Sequence, residues 1–302
     1  MFRAATLRVR VPASSANLGP GFDTFGLALG LYDEVVVRVG EDGLDLDVAG
    51  EGADKVRRDR RNLVVKSMDR AFAVLGGRPR GLEIRCLNRI PHGRGLGSSA
   101  AAVVAGITAA RALTVGGDDR LSPRAVLALA TEIEGHPDNV AASLAGGFTL
   151  AWTGASGVDS VSLTPSSRVV PVVFIPASEL RTVKARRALP ESVPYADAVT
   201  NTARAALLVE AITRRPQLLL TATEDFLHQQ YRRSVMPRTL ALVDELRSAG
   251  VPAVVSGAGP TVLALADASS ADALVEQTGR LPRGWRVEKL PVDTEGVQVL
   301  PL

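Results

Sequence analysis

The 302-residue chain contains one cysteine, Cys86, so no internal disulfide can form. A single thiol also gives no support to a secreted disulfide scaffold or a cysteine-built zinc site. Cys86 lies in the alternating run 82–87 and reads as a small strand residue. Aromatic residues make up 4% of the chain, which leaves no stacking platform for single-stranded nucleic acid. Of 35 cationic side chains only four are lysine (Lys55, Lys66, Lys184 and Lys289), and none follows a glycine, so a Walker-type Gly-Lys-Ser/Thr loop is absent. The dinucleotide pattern Gly-x-Gly-x-x-Gly fails as well, because Ser98 stands where its last glycine should be. The apolar run near 99–113 is too short and too rich in alanine to span a bilayer, and the N-terminus has no signal-type core. Charge is nearly balanced at +3, and 46% of residues are hydrophobic, as in ordinary globular proteins. These absences leave a cytoplasmic enzyme with a small-molecule substrate as the expectation, with no nucleic acid and no membrane partner.

What the chain does have is Pro91-His92-Gly93-Arg94-Gly95-Leu96-Gly97-Ser98-Ser99-Ala100-Ala101, leading into an alanine- and valine-rich helix. Three glycines within five residues let the backbone bend where a Cβ would forbid it. Two serines follow at the expected helix start, beside amide N–H groups that have no partner within the helix. Amide dipoles and a positive helix end then converge on one point, which suits a phosphate.

Two further glycine-containing segments flank this loop in sequence. The first is Val11-Pro12-Ala13-Ser14-Ser15-Ala16-Asn17-Leu18-Gly19-Pro20-Gly21-Phe22-Asp23, and the last is Ser256-Gly257-Ala258-Gly259-Pro260-Thr261. In order and placement the three resemble the motifs of the GHMP kinases, spanning residues 11–265. The resemblance implies an α+β, two-domain fold: a ribosomal-protein-S5-domain-2-like half over 1–160 and a ferredoxin-like half over 161–302. It also implies ATP and Mg²⁺ as cofactors. The nucleotide-binding set it implies is Asn62 with Pro91, His92, Gly93, Arg94, Gly95, Leu96, Gly97, Ser98, Ser99, Ala100 and Ala101.

Within that family, Glu132-Ile133-Glu134-Gly135-His136-Pro137-Asp138-Asn139 and Thr182-Val183-Lys184-Ala185-Arg186 resemble segments of the homoserine kinases. This resemblance implies Mg²⁺ held by Ser98 or Ser99 with Glu134, Glu132 being the alternative. It implies substrate contacts at Asn17, Asp23, His136, Asn139, Thr182, Arg186, Arg232 and Gly259, and roles in the reaction for Asn139, Asp138 and Arg186. An amino-acid substrate wants a carboxylate such as Asp23 for its ammonium and guanidinium groups for its carboxylate. Nothing in the sequence identifies a general base: Asp138 is the obvious carboxylate, yet it could equally cap or brace its loop, and direct attack by an oriented hydroxyl is the expectation. The expected reaction is phosphorylation of L-homoserine, and a homodimer is compatible with it. Another small-molecule GHMP kinase, of mevalonate or sugar type, and a non-catalytic relative are the alternatives.

Periodicity fills in the rest of the chain. Strands are expected at 5–11, 33–39, 44–49 and 82–87, then near 147–152 and 158–163. Asn62 and Gly76-Gly77 bracket a helix over 63–75, and Ser122-Pro123 opens another. Gly116-Gly117-Asp118-Asp119 reads as a loop. From Val169 onward a strand, helices across 195–249, strands at 252–256 and 261–266, a helix at 270–280 and a strand at 286–291 give the β-α-β-β-α-β order of a ferredoxin-like unit.

Overall fold

In the computed structural model, which describes residues 1–276 and 283–302, Leu7, Val9 and Val11 turn inward while Arg8 and Arg10 stay half-buried. This alternation builds β1 (Leu7–Ala16), which pairs antiparallel with β2 (Phe25–Gly40). Both strands run beyond their expected limits of 5–11 and 33–39. The first motif is therefore the tip of a β-hairpin, with its turn over 17–24. Alternation hid the extension because residues 11–16 and 25–29 are buried throughout, so the two-residue period disappears there.

The helix α1 (Leu63–Leu75) starts at Asn62, whose Oδ1 accepts from Val64 N, and ends at Gly76 in the left-handed region. It links β3 (Gly43–Gly50) to its parallel neighbour β4 (Gly81–Asn88). The phosphate-loop candidate follows, and α2 (Ser98–Leu113) begins at its Gly97-Ser98 step. Eleven of the 16 residues of α2 are buried, so it is a central helix rather than an amphipathic surface one. The pair of glycines expected as a loop leads into a four-residue turn, α3 (Gly117–Arg120). Two helices, α4 (Pro123–Glu134) and α5 (Asp138–Ala145), then precede the hairpin of β5 (Phe148–Gly154) and β6 (Gly157–Leu163). The boundary expected at 160/161 falls inside β6.

The second sheet contains β7 (Val170–Pro176), β8 (Ala253–Val255), β9 (Val262–Ala266) and β10 (Trp285–Lys289) in the order β10-β7-β9-β8, all antiparallel. This is the expected ferredoxin-like arrangement. Between β7 and β8 lie α6 (Thr182–Arg187), α7 (Tyr195–Thr213), α8 (Leu219–Ala222) and α9 (Pro237–Ser248). The helix expected at 270–280 is α10 (Ala268–Glu276), and positions 277–280 lie outside the described residues.

Alternation along β7 divides the core. Val172 and Phe174 pack with α9 and α10, while Val173 and Ile175 face the core that continues under the first sheet. The chain then returns: β11 (Gln298–Pro301) pairs with β1, giving the first sheet the order β11-β1-β2-β4-β3 with β5 and β6 attached through β2. Among the described residues no helix is long and apolar enough to cross a membrane.

Candidate active site

The three glycine motifs meet. Ser256 Oγ donates to Gly95 O at 2.6 Å and lies 2.8 Å from Ser15 Oγ. Gly257 N donates to Ala16 O at 3.0 Å, and Thr261 N donates to Arg94 O at 3.1 Å. Gly95 and Gly97 both have positive φ, 79° and 72°. A Cβ on Gly95 would fall 2.2 Å from Ser256 O, and one on Gly97 would fall 2.0 Å from Ser14 Oγ. Their freedom is thus used to seat the loop against its partner motifs, before any ligand is considered.

A small polar cavity of about 110 Å³ opens where these motifs join. It gathers Asn17, Asp23, His136, Asp138, Asn139, Thr182, Arg186, Arg232 and Gly259 with Gly93, Gly95, Gly97, Ser98, Ser99 and Glu134. Asp23 and Arg186 form a two-pronged pair, Arg186 donating from Nη2 to Oδ1 at 2.6 Å and from Nη1 to Oδ2 at 3.1 Å. The two residues were expected to take opposite ends of a substrate, and here they also hold each other. Asn17 is less free than expected: its Nδ2 donates to Gly257 O and its Oδ1 accepts from Asp23 N, so it braces the turn.

Arg232 differs from every other cation of the cavity. It is 1% exposed, with Nη1 donating to Gly257 O at 3.2 Å and close to His228 Nδ1. Its Nε has no partner, and it forms no ion pair among the described residues. Burial, with Arg186 nearby, lowers its pKa to about 10. The ring of Phe22 lies beneath both guanidinium groups, 5.4 Å from Arg186 and 5.5 Å from Arg232, and stacks on His228. Sequence reasoning assigned neither Phe22 nor His228 a part; the scarcity of aromatics was the available signal for Phe22.

On the opposite wall Ser99 Oγ donates to Glu134 Oε2 at 2.7 Å. Burial raises the Glu134 pKa, against the pull of the Ser99 hydroxyl. Glu132 points elsewhere and pairs with Arg70 on the surface, so it does not line the cavity. Asp138 is buried, and its Oδ1 accepts from Asn139 N at 2.7 Å and from Asn139 Nδ2 at 3.2 Å. Asn139 Oδ1 in turn accepts from Ser14 Oγ at 3.0 Å. His136 Nδ1 stands 3.6 Å from Asp138 Oδ1, and that carboxylate raises its pKa against the opposing effect of burial.

A second cavity, of about 390 Å³, adjoins the first at Ser98 and Ser99. Val48, Val56, Leu63, Val64 and Ala102 supply apolar walls, with Asn62, Asn88, His92 and Asp33 among them. Asn62 does not offer a free amide here, because Nδ2 donates to Arg57 O while Oδ1 caps α1. The side chains of 91–101 go to different places. Leu96, Ala100 and Ala101 are core residues. Pro91 and Arg94 line a separate groove beside Trp285 and Arg286. Arg94 donates to Pro176 O and Ala177 O there. Alternation of a tight loop sends successive side chains to opposite sides, which a linear motif cannot display.

Residues 62–147 match the GHMP kinases N terminal domain, and residues 204–280 match the GHMP kinases C terminal domain. A homoserine kinase of Streptomyces avermitilis is 60% identical over 301 residues, covering 100% of this chain and 98% of that protein. The chain belongs to the homoserine kinases of the GHMP kinase family. A homoserine kinase of Clavibacter michiganensis is 48% identical, covering 97% of this chain and 93% of its own. The solved structure of a homoserine kinase from Cytophaga hutchinsonii superposes with a TM-score of 0.84 at 26% identity, covering 98% of both chains. This kinase is an ATP-dependent phosphotransferase with the two-domain α+β fold of its family.

Proposed function

We propose that this kinase transfers the γ-phosphoryl group of ATP to the side-chain hydroxyl of L-homoserine, giving O-phospho-L-homoserine and ADP for threonine biosynthesis. The observation that carries the reading is the buried Arg232, which has no ion-pair partner among the described residues, beside the Asp23–Arg186 pair in a cavity that opens onto the phosphate loop. An α-amino acid presents an ammonium and a carboxylate side by side. It can place the ammonium at Asp23 and the carboxylate between Arg186 and Arg232, relieving a buried positive charge that otherwise costs several kcal/mol. Apolar walls and a wider volume suit the base and ribose of ATP to the second cavity, which leaves the triphosphate across Gly93–Ser99. The two cavities share Ser98 and Ser99, so donor and acceptor meet there.

Ser98, Ser99 and Glu134 offer two hydroxyls and a carboxylate, a hard oxygen set that fits Mg²⁺. When bound, Mg²⁺ neutralises charge on the phosphate oxygens. Asn139, held by Asp138 and Ser14, orients the attacking hydroxyl. The hydroxyl oxygen bonds to the γ-phosphorus as the bond to the bridging β–γ oxygen breaks, and the hydroxyl proton leaves to solvent or phosphate. A loose transition state needs position and charge stabilisation more than a strong base.

A panel of alcohols assayed with MgATP for ADP release tests the reading; homoserine should exceed mevalonate and sugars. Arg232→Ala should weaken homoserine use by about 30- to 5,000-fold while ATP affinity holds. Normal homoserine kinetics in a folded Arg232→Ala protein would defeat the assignment.

A further inference from the structure

Asp33 is a buried carboxylate that the phosphoryl-transfer reading leaves without a task. It is 6% exposed and belongs to the lining of the larger cavity. Its Oδ1 accepts from Arg89 N at 2.7 Å and Ile90 N at 2.9 Å, directly before the phosphate loop. Among the described residues, its other oxygen, Oδ2, accepts no hydrogen bond. The amide N–H donors beside it in the same cavity are already engaged. Asn62 is bonded at both ends of its amide, and Asn88 Nδ2 donates to Glu51 O and lies 3.4 Å from His92 Nε2. Arg57 and Arg61 are exposed at the mouth, whereas Asp33, Val48, Val64 and Cys86 are buried. Among the described residues lining this largely apolar cavity, Asp33 is the one carboxylate, and its Oδ2 is free to accept.

A carboxylate oxygen in such a place is costly unless it receives a donor. A flat base held between the valines can bring one only from its edge. Adenine carries an exocyclic amine there; a 6-oxopurine carries an acceptor, which would face the carboxylate. We propose that Asp33 selects the nucleobase, its Oδ2 accepting a hydrogen bond from the 6-amino group of adenine. This rests on the reading that the base occupies the larger cavity. Because Oδ1 holds the start of the phosphate loop, base recognition and loop position share one side chain.

The test is equilibrium binding by titration calorimetry, using the full chain without acceptor. The nucleotides are ATP, purine riboside triphosphate (which lacks the 6-amino group) and inosine triphosphate. A hydrogen bond to a charged group corresponds to about 10- to 150-fold in affinity, so the wild type should prefer ATP to purine riboside triphosphate by that order. Asp33→Asn can keep its carbonyl on Arg89 and Ile90 while turning an NH₂ toward the base. It should weaken ATP, strengthen inosine triphosphate and close the gap to the unsubstituted purine. Ala102→Trp, which fills the cavity from α2, separates the two readings. If it binds ATP as the wild type does, the base lies elsewhere and the placement fails. If it loses ATP but Asp33→Asn leaves the ATP-to-inosine-triphosphate ratio unchanged, the placement stands and Asp33 is not the selector. Wild-type binding of purine riboside triphosphate as tight as that of ATP overturns the proposal without any variant.

Discussion

At Glu134 two effects oppose each other: burial destabilises the charged carboxylate, and the Ser99 hydroxyl stabilises it. Burial is the larger, so the site gains from a cation placed beside it. Glu132, two residues earlier, is largely exposed and already paired with Arg70. Surface ion pairs contribute about 0–1 kcal/mol, so little depends on that contact. Glu134→Gln should therefore lower kcat by about 10²–10³-fold and raise the Mg²⁺ concentration needed for half-maximal rate. Glu132→Gln should stay near wild type on both measures. A reversed pattern would transfer the metal role to Glu132. Arg232 makes the complementary case: a buried cation with no carboxylate paired to it among the described residues marks where a substrate anion fits.

Among the elements, β2 is tied to the phosphate loop through Asp33, and that tie has a pH signature. Burial raises the Asp33 pKa to about 6, above its ordinary carboxylate value of 3.8. The folded protein then keeps a proton that the unfolded chain has lost, so stability falls as pH rises from about 4 to about 6 and stays lowered above that. The shift corresponds to about 3 kcal/mol. Asp33→Asn removes the buried charge and keeps an acceptor for Arg89 and Ile90. It should unfold at higher urea than wild type near pH 7, and the difference should shrink toward about pH 4. Equal stability differences at both pH values would show that Asp33 does not carry this burial penalty. The same result bears on glycine: Gly97 is needed by the contact with Ser14 on β1, so enlarging it disturbs the junction of elements before it reaches a ligand.

For the molecule as a whole, the apolar core decides how the halves behave. Val173, Ile175, Leu263 and Leu265 of the second sheet share one buried cluster with Val9, Leu27 and Ile107 of the first half. The ion pairs that also join the halves, Lys55–Glu179 and Arg286–Glu51, are exposed and contribute little by comparison. In addition, β11 comes from the end of the chain yet covers β1. The protein should therefore unfold in one transition with matching calorimetric and van't Hoff enthalpies. A fragment ending at Leu163 should lack a native-like melt. Two separate transitions, or a fragment that melts cooperatively by itself, would contradict a shared core.

What local chemistry governs was legible in the chain alone. Asn62 and Gly76 delimit α1, Ser122 and Pro123 open α4, and the three motifs stand in family order. The β-α-β-β-α-β sequence of the second half could likewise be read from alternation and turn residues. Caps, periodicity and glycine turns act within a few residues, so they survive in a linear reading. Partners separated by many residues do not. The Asp23–Arg186 pair, Phe22 beneath two guanidinium groups, the return of β11 to β1, and the separation of Gly95 from Arg94 onto different surfaces all depend on packing. The sequence by itself determined which elements form and which chemical groups are available. Only the tertiary structure decided which groups face a shared cavity and which are consumed by one another, because burial and hydrogen-bond partners are set by contacts far apart in the chain.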